Sequence, residues 1–386
     1  MHRNELLNCR FRTGSLFHLK EWSALDQHQK QWLHELADSE EVYGLFMPLT
    51  TAHHLTAKIA DLNSALLFYH FQQFDRLPNC FLNRYGANLQ KTIAQLVLDG
   101  VLEIEWEGKF LSGSEAVSAI SPEASVFENT KANFLSRISL QAAAHAFLLK
   151  RKEVSALAQW LYTCHTLPHD GFTDLNLSTE RDVYQYLFSD AEQPFHFLSR
   201  QWRFTPPAEG FRWFFWNRAD TFHSASLPTF KLYISPKPRH LPSVFTKLLA
   251  VLESSEAFCF KAGASKASLL RPDKLLVYFS SKTALMQLSE ELKPLLAHRP
   301  VHGVPFTGQL DDDGVLSWGV DPSPYEVLNA VEGGSWRTKV TEQLALAISA
   351  ARHQHAEWTA ALPFVTAKLR IAGIDVESWT ATDPVN

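Results

Sequence analysis

The chain is poor in cysteine, methionine and glycine, with 4, 3 and 16 of them among 386 residues. Cys9, Cys80, Cys164 and Cys259 have no close spacing, which argues against both a disulfide framework and a four-cysteine zinc site. Reduced thiols in a cytoplasmic protein fit that usage. A basic excess is also missing. The 36 Lys and Arg against 41 Asp and Glu leave a formal net charge of −5 and a pI near 6.4, unlike a nucleic-acid or membrane-surface binder. No uncharged apolar run reaches the roughly 18 residues of a membrane span. Met1-His2-Arg3-Asn4-Glu5 leads into nothing like the apolar core of a signal peptide. A type III secretion signal has no fixed composition and stays open.

Familiar chemical motifs are lacking too. Glu332-Gly333-Gly334-Ser335 is too short for a phosphate loop and has no following Lys. There is no His-Glu-x-x-His helix and no Gly-x-Ser-x-Gly elbow. His53-His54, Cys164-His165 with His169, and His353 with His355 each fall short of three or four ligands at local spacing. They read as surface histidines, and no metal or cofactor is expected. Asp311-Asp312-Asp313-Gly314 reads as a solvated hairpin turn.

What is present is a full core: 46% apolar residues, 27 Phe and 11 Trp, with aromatics crowding into 195–216. Apolar spacing of three and four predicts helices over Gln27–Leu36, Ala57–Phe74, Tyr85–Leu98, Ser136–Leu149, Glu153–Thr163 and Glu180–Phe188. The third is stopped by Asp99-Gly100. It is followed by a short hairpin from Val101 to Leu111 that turns at Glu107-Gly108, which together have a winged-helix outline. Its recognition helix carries only Arg84 and Lys91, so peptide or protein binding suits it better than DNA.

Past 195 the pattern changes. Thr229–Ser235, Ala257–Gly263, Lys274–Ser280, Val304–Leu310 and Val315–Val320 read as strands, with helices over Ser243–Glu253, Thr283–Ala297 and about Trp336–Leu362. The expected class is α+β, with a mainly helical domain over 1–195 and an α+β domain with an antiparallel or mixed sheet over 196–386.

Two lysines stand inside these strand-like runs. Lys231 lies in Phe230-Lys231-Leu232-Tyr233, and Lys261 follows Phe260. By the period of two, Lys231 and Tyr233 share a face, as do Lys274, Leu276 and Tyr278 on a later strand. Arg271 precedes Pro272, which biases it to an extended conformation. Buried lysines are costly, so a cationic cleft for an oxyanion such as phosphate explains the set. The alternative is a solvent-facing sheet that lysines merely decorate.

The series Lys231-x-Tyr233, Phe260-Lys261, Arg271 and Tyr278 resembles the OspF and SpvC phosphothreonine lyases of type III effectors. It also resembles the HopA-like lyases found beside kinases in lanthipeptide and thioamitide clusters. Gly303-Val304-Pro305-Phe306-Thr307, Trp318-Gly319-Val320-Asp321-Pro322 and Ser335-Trp336-Arg337 are similar to the HopA-like pattern in order. The resemblance covers about 210–350. It implies a metal-independent carbon–oxygen lyase that eliminates phosphate from phosphorylated Ser or Thr of a ribosomal precursor peptide, leaving a dehydroamino acid. In that chemistry Lys261 is the base, Arg271 and Arg337 clamp the phosphate, Lys231 and Lys274 add charge, and Tyr278 bonds the phosphate or a peptide carbonyl. Effector lyases of this type have histidine as the acid where this chain has Tyr233. Either the phenol donates the proton or phosphate leaves with help from Lys and Arg alone. The helical half would suit capture of a peptide or a partner kinase. The other readings are a secreted effector acting on a host phosphoprotein, and an inert peptide- or partner-binding protein on the same fold.

Overall fold

The computed structural model describes residues 6–36, 42–49, 56–125, 132–149, 153–168, 177–189, 196–207, 212–219, 228–322 and 334–382. The fold is α+β, with the strands paired antiparallel throughout. Its first strands are β1 (Arg10–Thr13), β2 (Phe17–Glu21), β3 (Val42–Pro48), β4 (Lys58–Asp61) and β5 (Asp75–Arg76). The hairpin β6 (Leu102–Trp106) and β7 (Lys109–Leu111) follows the long helix Asn79–Leu98. They form sheets of order β2-β3-β4 and β5-β1-β6-β7. The long helix ends because Gly100 takes a φ of +76°, open to glycine at no steric cost, and Val101 N–H turns back to the Leu96 carbonyl.

The second half builds a sheet from β8 (Trp202–Thr205), β9 (Trp213–Arg218), β10 (Phe230–Ile234), β11 (Cys259–Gly263), β12 (Leu275–Phe279), β13 (Gly308–Gln309) and β14 (Leu316–Val320). Its order is β13-β14-β10-β12-β11-β9-β8. Alternation assigns the two faces. Phe230, Leu232, Ile234, Phe260, Ala262, Leu275, Val277 and Phe279 are buried in one cluster with the helices Leu241–Leu252 and Lys282–Leu296. Each such large side chain contributes about 1.5–3 kcal/mol by leaving water. A slip of one residue would turn this whole set outward, so the register is strongly specified. Lys231, Tyr233, Lys261, Leu276 and Tyr278 are thereby left on the other face, in the registers Lys231↔Tyr278, Tyr233↔Leu276 and Lys261↔Leu276.

Three expected elements differ. The helix expected over Ala57–Phe74 is β4 followed by the helix Leu62–His70, because Asp61 caps that helix by accepting from Ser64 N–H at 2.7 Å. The strand expected over Val304–Leu310 is mostly a loop. Gly303 and Phe306 have φ of +80° and +66°, which no strand permits, and only Gly308–Gln309 pairs. The helix expected over Trp336–Leu362 is two helices, Trp336–Ala351 and Trp358–Ile371. At the break, Arg352 Nε donates to the Phe147 carbonyl and Gln354 accepts from Ser114 N–H, tertiary bonds that replace helical continuation. Arg84 lies among residues whose side chains are outside the described set, as do His53, His54 and His169.

The apolar clusters cut across position 195. Trp336, Val340, Leu344, Ile348, Phe364 and Trp379 pack with residues from the first half, including Phe11, Val97, Ile104 and Leu140. The sheet has its own core. No described helix is long and apolar enough to cross a membrane.

Candidate functional site

The polar face of the sheet is built from the alternation just described. Lys261, on β11, places its ammonium 4.3 Å from the centroid of Trp213, 5.7 Å from Phe215 and 5.6 Å from Tyr278. Three aromatic faces thus hold one cation. Among the described residues its ammonium has no ion-pair partner. Burial, and then the neighbouring Lys231 charge, push its pKa down to about 8. Lys231, on β10, is buried and paired with Asp321 at 2.5 Å, 5.4 Å from the same Tyr278 ring.

The loop before β12 contributes the other cations. Arg271 is held by both oxygens of Asp273, with Nε and one terminal nitrogen each at 2.9 Å. Its guanidinium stands 5.5 Å from the Trp213 centroid, the ring that also carries Lys261. Arg337, on the first turn of Trp336–Ala351, reaches the same Asp273 at 3.0 Å and is 1% exposed. It also donates to the carbonyls of Pro305 at 3.3 Å and Tyr162 at 2.8 Å. Burial alone would raise the Asp273 carboxyl, but Arg337 and Arg271 hold it well below the usual carboxylate range. Asp273 is therefore an anion that two arginines share, and the site keeps an excess of positive charge.

Lys274 is placed differently from the expected phosphate contact. It is fully buried, and its ammonium donates to His302 Nδ1 at 2.7 Å, the Pro236 carbonyl at 3.2 Å and Ser235 Oγ at 3.3 Å. An ammonium has three protons, and three acceptors take them. Burial pushes its pKa down to about 7. His302 in turn donates from Nε2 to the His165 carbonyl at 2.7 Å. Burial and then Lys274 push His302 down to about 2, which keeps it neutral and able to accept.

Tyr233 is 2% exposed and packs with Leu276 and Val304, with Trp213 and Tyr278 at the margin. Burial raises its phenol well above the ordinary value, and Asp321 adds to this. Burial likewise raises Tyr278, whose ring serves as the floor for both lysines. Lys231, Lys261, Arg271, Tyr278 and Tyr233 thus share one face, with Arg337 behind it through Asp273.

Sequence reading gave no role to Asp273, Trp213, Tyr162 or His302, quoted Asp321 only within a motif, and took His165 for a surface histidine. Asp273 and Asp321 sit inside the strand-bounded motifs, where an acid among cations was a usable signal. Tyr162 and His165 carried none. His165 is not a surface histidine: it is half-buried, and its Nε2 lies 3.0 Å from the His302 carbonyl. Among the described residues no group of acidic, histidine or cysteine side chains is arranged to hold a metal.

No family model matches the chain, and no curated relative does. Among solved structures it is similar to an effector protein from Pseudomonas syringae pv. syringae strain 61. The identity is 16% and the TM-score 0.39, over 65% of this chain and 98% of that one. It is also similar to the type III effector and phosphothreonine lyase OspF from Shigella flexneri, at 15% identity and a TM-score of 0.27, over 43% of this chain and 90% of that one. A third is the phosphothreonine lyase effector VirA (SpvC) from Chromobacterium violaceum. There the identity is 14% and the TM-score 0.29, over 44% of this chain and 83% of that one.

Proposed function

We propose that the chain is a carbon–oxygen lyase that eliminates phosphate from a phosphorylated Ser or Thr residue. One observation carries this reading: a lysine without an anionic partner, its pKa near 8, stands beside a cationic face built on two arginines that share one carboxylate. Elimination uses those parts as base and as anion stabiliser. The neutral Lys261 amine takes the Cα proton, the Cβ–O bond breaks, and the electron pair of the C–H bond becomes the Cα=Cβ double bond. The phosphate departs with the electrons of the broken bond. Arg271 and the Lys231 ammonium stabilise the charge that develops on it. Asp273, itself held by Arg337, holds Arg271 in place. Tyr233, protonated at any physiological pH, is the group we assign to deliver a proton to the leaving oxygen. No step requires a metal or an organic cofactor.

The substrate we propose is a phosphorylated ribosomal precursor peptide, delivered by a partner kinase, and the reaction leaves a dehydroamino acid. The sequence resemblance to HopA-like lyases of such clusters supports it. Placed with secretion genes instead, the same site would serve an effector acting on a host phosphoprotein. The test is mass spectrometry of a phosphothreonine peptide incubated with the protein. Loss of phosphoric acid, rather than of the metaphosphate unit that hydrolysis removes, is expected. A peptide returned unchanged under conditions where it binds would sink the lyase reading.

A further inference from the structure

The end of the helix Val154–Thr163 lies against the arginine pair, although it belongs to the first half of the chain. Tyr162 makes five contacts there. Its hydroxyl donates to Asp273 Oδ2 at 3.2 Å and accepts from Arg271 at 3.4 Å. Its ring lies 4.4 Å from the Arg337 guanidinium carbon and 5.5 Å from that of Arg271. Its carbonyl accepts from Arg337 at 2.8 Å. The segment after it is tied down as well, by the reciprocal bonds of His165 with His302 and by Leu167 N–H to the Leu270 carbonyl at 3.0 Å.

We propose that Tyr162 is a positioning residue for the anion clamp: it fixes Asp273, and through it the planes of Arg271 and Arg337, so that the first half of the chain completes the site. This rests on the lyase reading for its purpose, but not for its geometry. Asp273 alone could hold Arg271 in a two-point contact while leaving the pair free to pivot about the carboxylate. A third bond on Oδ2, and a ring face against both guanidinium groups, remove that freedom. Holding a charged group in its working orientation before the ligand arrives lowers the ordering cost of binding. The contact also explains why no residue of the local motif predicted it. The partners Tyr162 and Asp273 are 111 positions apart.

The test measures the dissociation constant for inorganic phosphate by titration calorimetry on the full chain and on Tyr162→Phe and Tyr162→Leu. Circular dichroism verifies that each variant is folded. Tyr162→Phe keeps the ring and loses one hydrogen bond, so phosphate binding should weaken about 2–10-fold. Tyr162→Leu loses the ring as well and should weaken it further. With a phosphothreonine peptide, KM should rise by a similar factor, while the pH midpoint set by Lys261 stays where it is. A general loss of folding would not leave that midpoint in place. Parental phosphate affinity in both variants overturns the inference, and so does a parent that binds no phosphate. Phosphate binding that depends on Tyr162 in a protein that eliminates nothing would support the positioning role and refute the lyase reading.

Discussion

Lys261 and Lys231 stand over the same phenol ring, their ammonium nitrogens 5.6 and 5.4 Å from the centroid of Tyr278. Only Lys231 has a carboxylate, Asp321, to offset its charge. Two equivalent-looking lysines on one sheet face, on the strands either side of β12, are therefore unlike in chemistry. One is a fixed cation. The other has no carboxylate beside it and a pKa brought down to about 8.

The rate of elimination should accordingly rise with pH and level off above an apparent pKa near 8, where burial and Lys231 have brought Lys261. An ordinary lysine would give a rise that continues toward pH 10. Lys261→Ala should abolish elimination and leave the phosphopeptide bound, since the clamp remains. A pH-rate profile from 6 to 10, with a pull-down of phosphopeptide by the variant, checks both. Full activity in Lys261→Ala would end the base assignment.

Stability should report the same group. Lys261 binds its proton less tightly folded, at about 8, than unfolded, near the ordinary 10.5. Below pH 8 both states carry the proton, and folding bears the whole cost of burying it. Between 8 and 10.5 the unfolded state binds more protons, so stability rises with pH and the cost is gone above that window. Lys261→Met should thus be more stable than the parent at pH 7, by about 1–3 kcal/mol after allowing for partial exposure. The gain should vanish by pH 10.5. Urea unfolding at the two pH values measures it, and an equal gain at both would remove the desolvation explanation.

Tyr233→Phe removes a hydroxyl from a buried ring and little else. If that hydroxyl is the acid, turnover should fall by roughly two to four orders of magnitude, with binding nearly unchanged. Single-turnover kinetics on a phosphothreonine peptide separates the two. Unchanged turnover would make Tyr233 a packing residue and leave phosphate departure to Arg271 and Lys231.

Arg271→Ala and Lys274→Met should fail in different ways. Arg271 lies half-buried beside Lys261, and losing its charge-assisted contact should cost phosphate binding about 1.5–3 kcal/mol. Lys274 instead spends its three protons on protein acceptors. Its loss leaves His302 Nδ1, Ser235 Oγ and the Pro236 carbonyl without their donor, so the expected effect is about 3 kcal/mol or more of stability. Paired measurements of urea midpoint and phosphate affinity distinguish them. A stable Lys274→Met that binds phosphate poorly would return Lys274 to the site.

The sequence by itself determined which face of the sheet carries Lys231, Tyr233, Lys261, Leu276 and Tyr278. Period-two alternation beside Phe230, Leu232, Phe260 and Val277 admits one arrangement that buries the apolar set, and that signal is local. It likewise marked the hairpin β6–β7 and the strands β10 to β12, whose turns and apolar runs lie within a few residues. Where local pattern met long-range contacts, it misread: Phe306 takes a positive φ in a loop where Ser139 and Trp336 hold its backbone, at 2.8 and 3.1 Å, and alternation there looked like a strand. Only the tertiary structure decided what each cation does. Lys274 shares its alternation with Tyr278, yet its ammonium is consumed by Ser235, Pro236 and His302. Arg271 and Arg337 became a pair because both reach Asp273, and Tyr162 joined them from a helix in the other half of the chain. A charge's role depends on which partners come within about 3 Å, and in a folded chain those partners are set by packing between distant segments, which no residue's neighbours in sequence reveal.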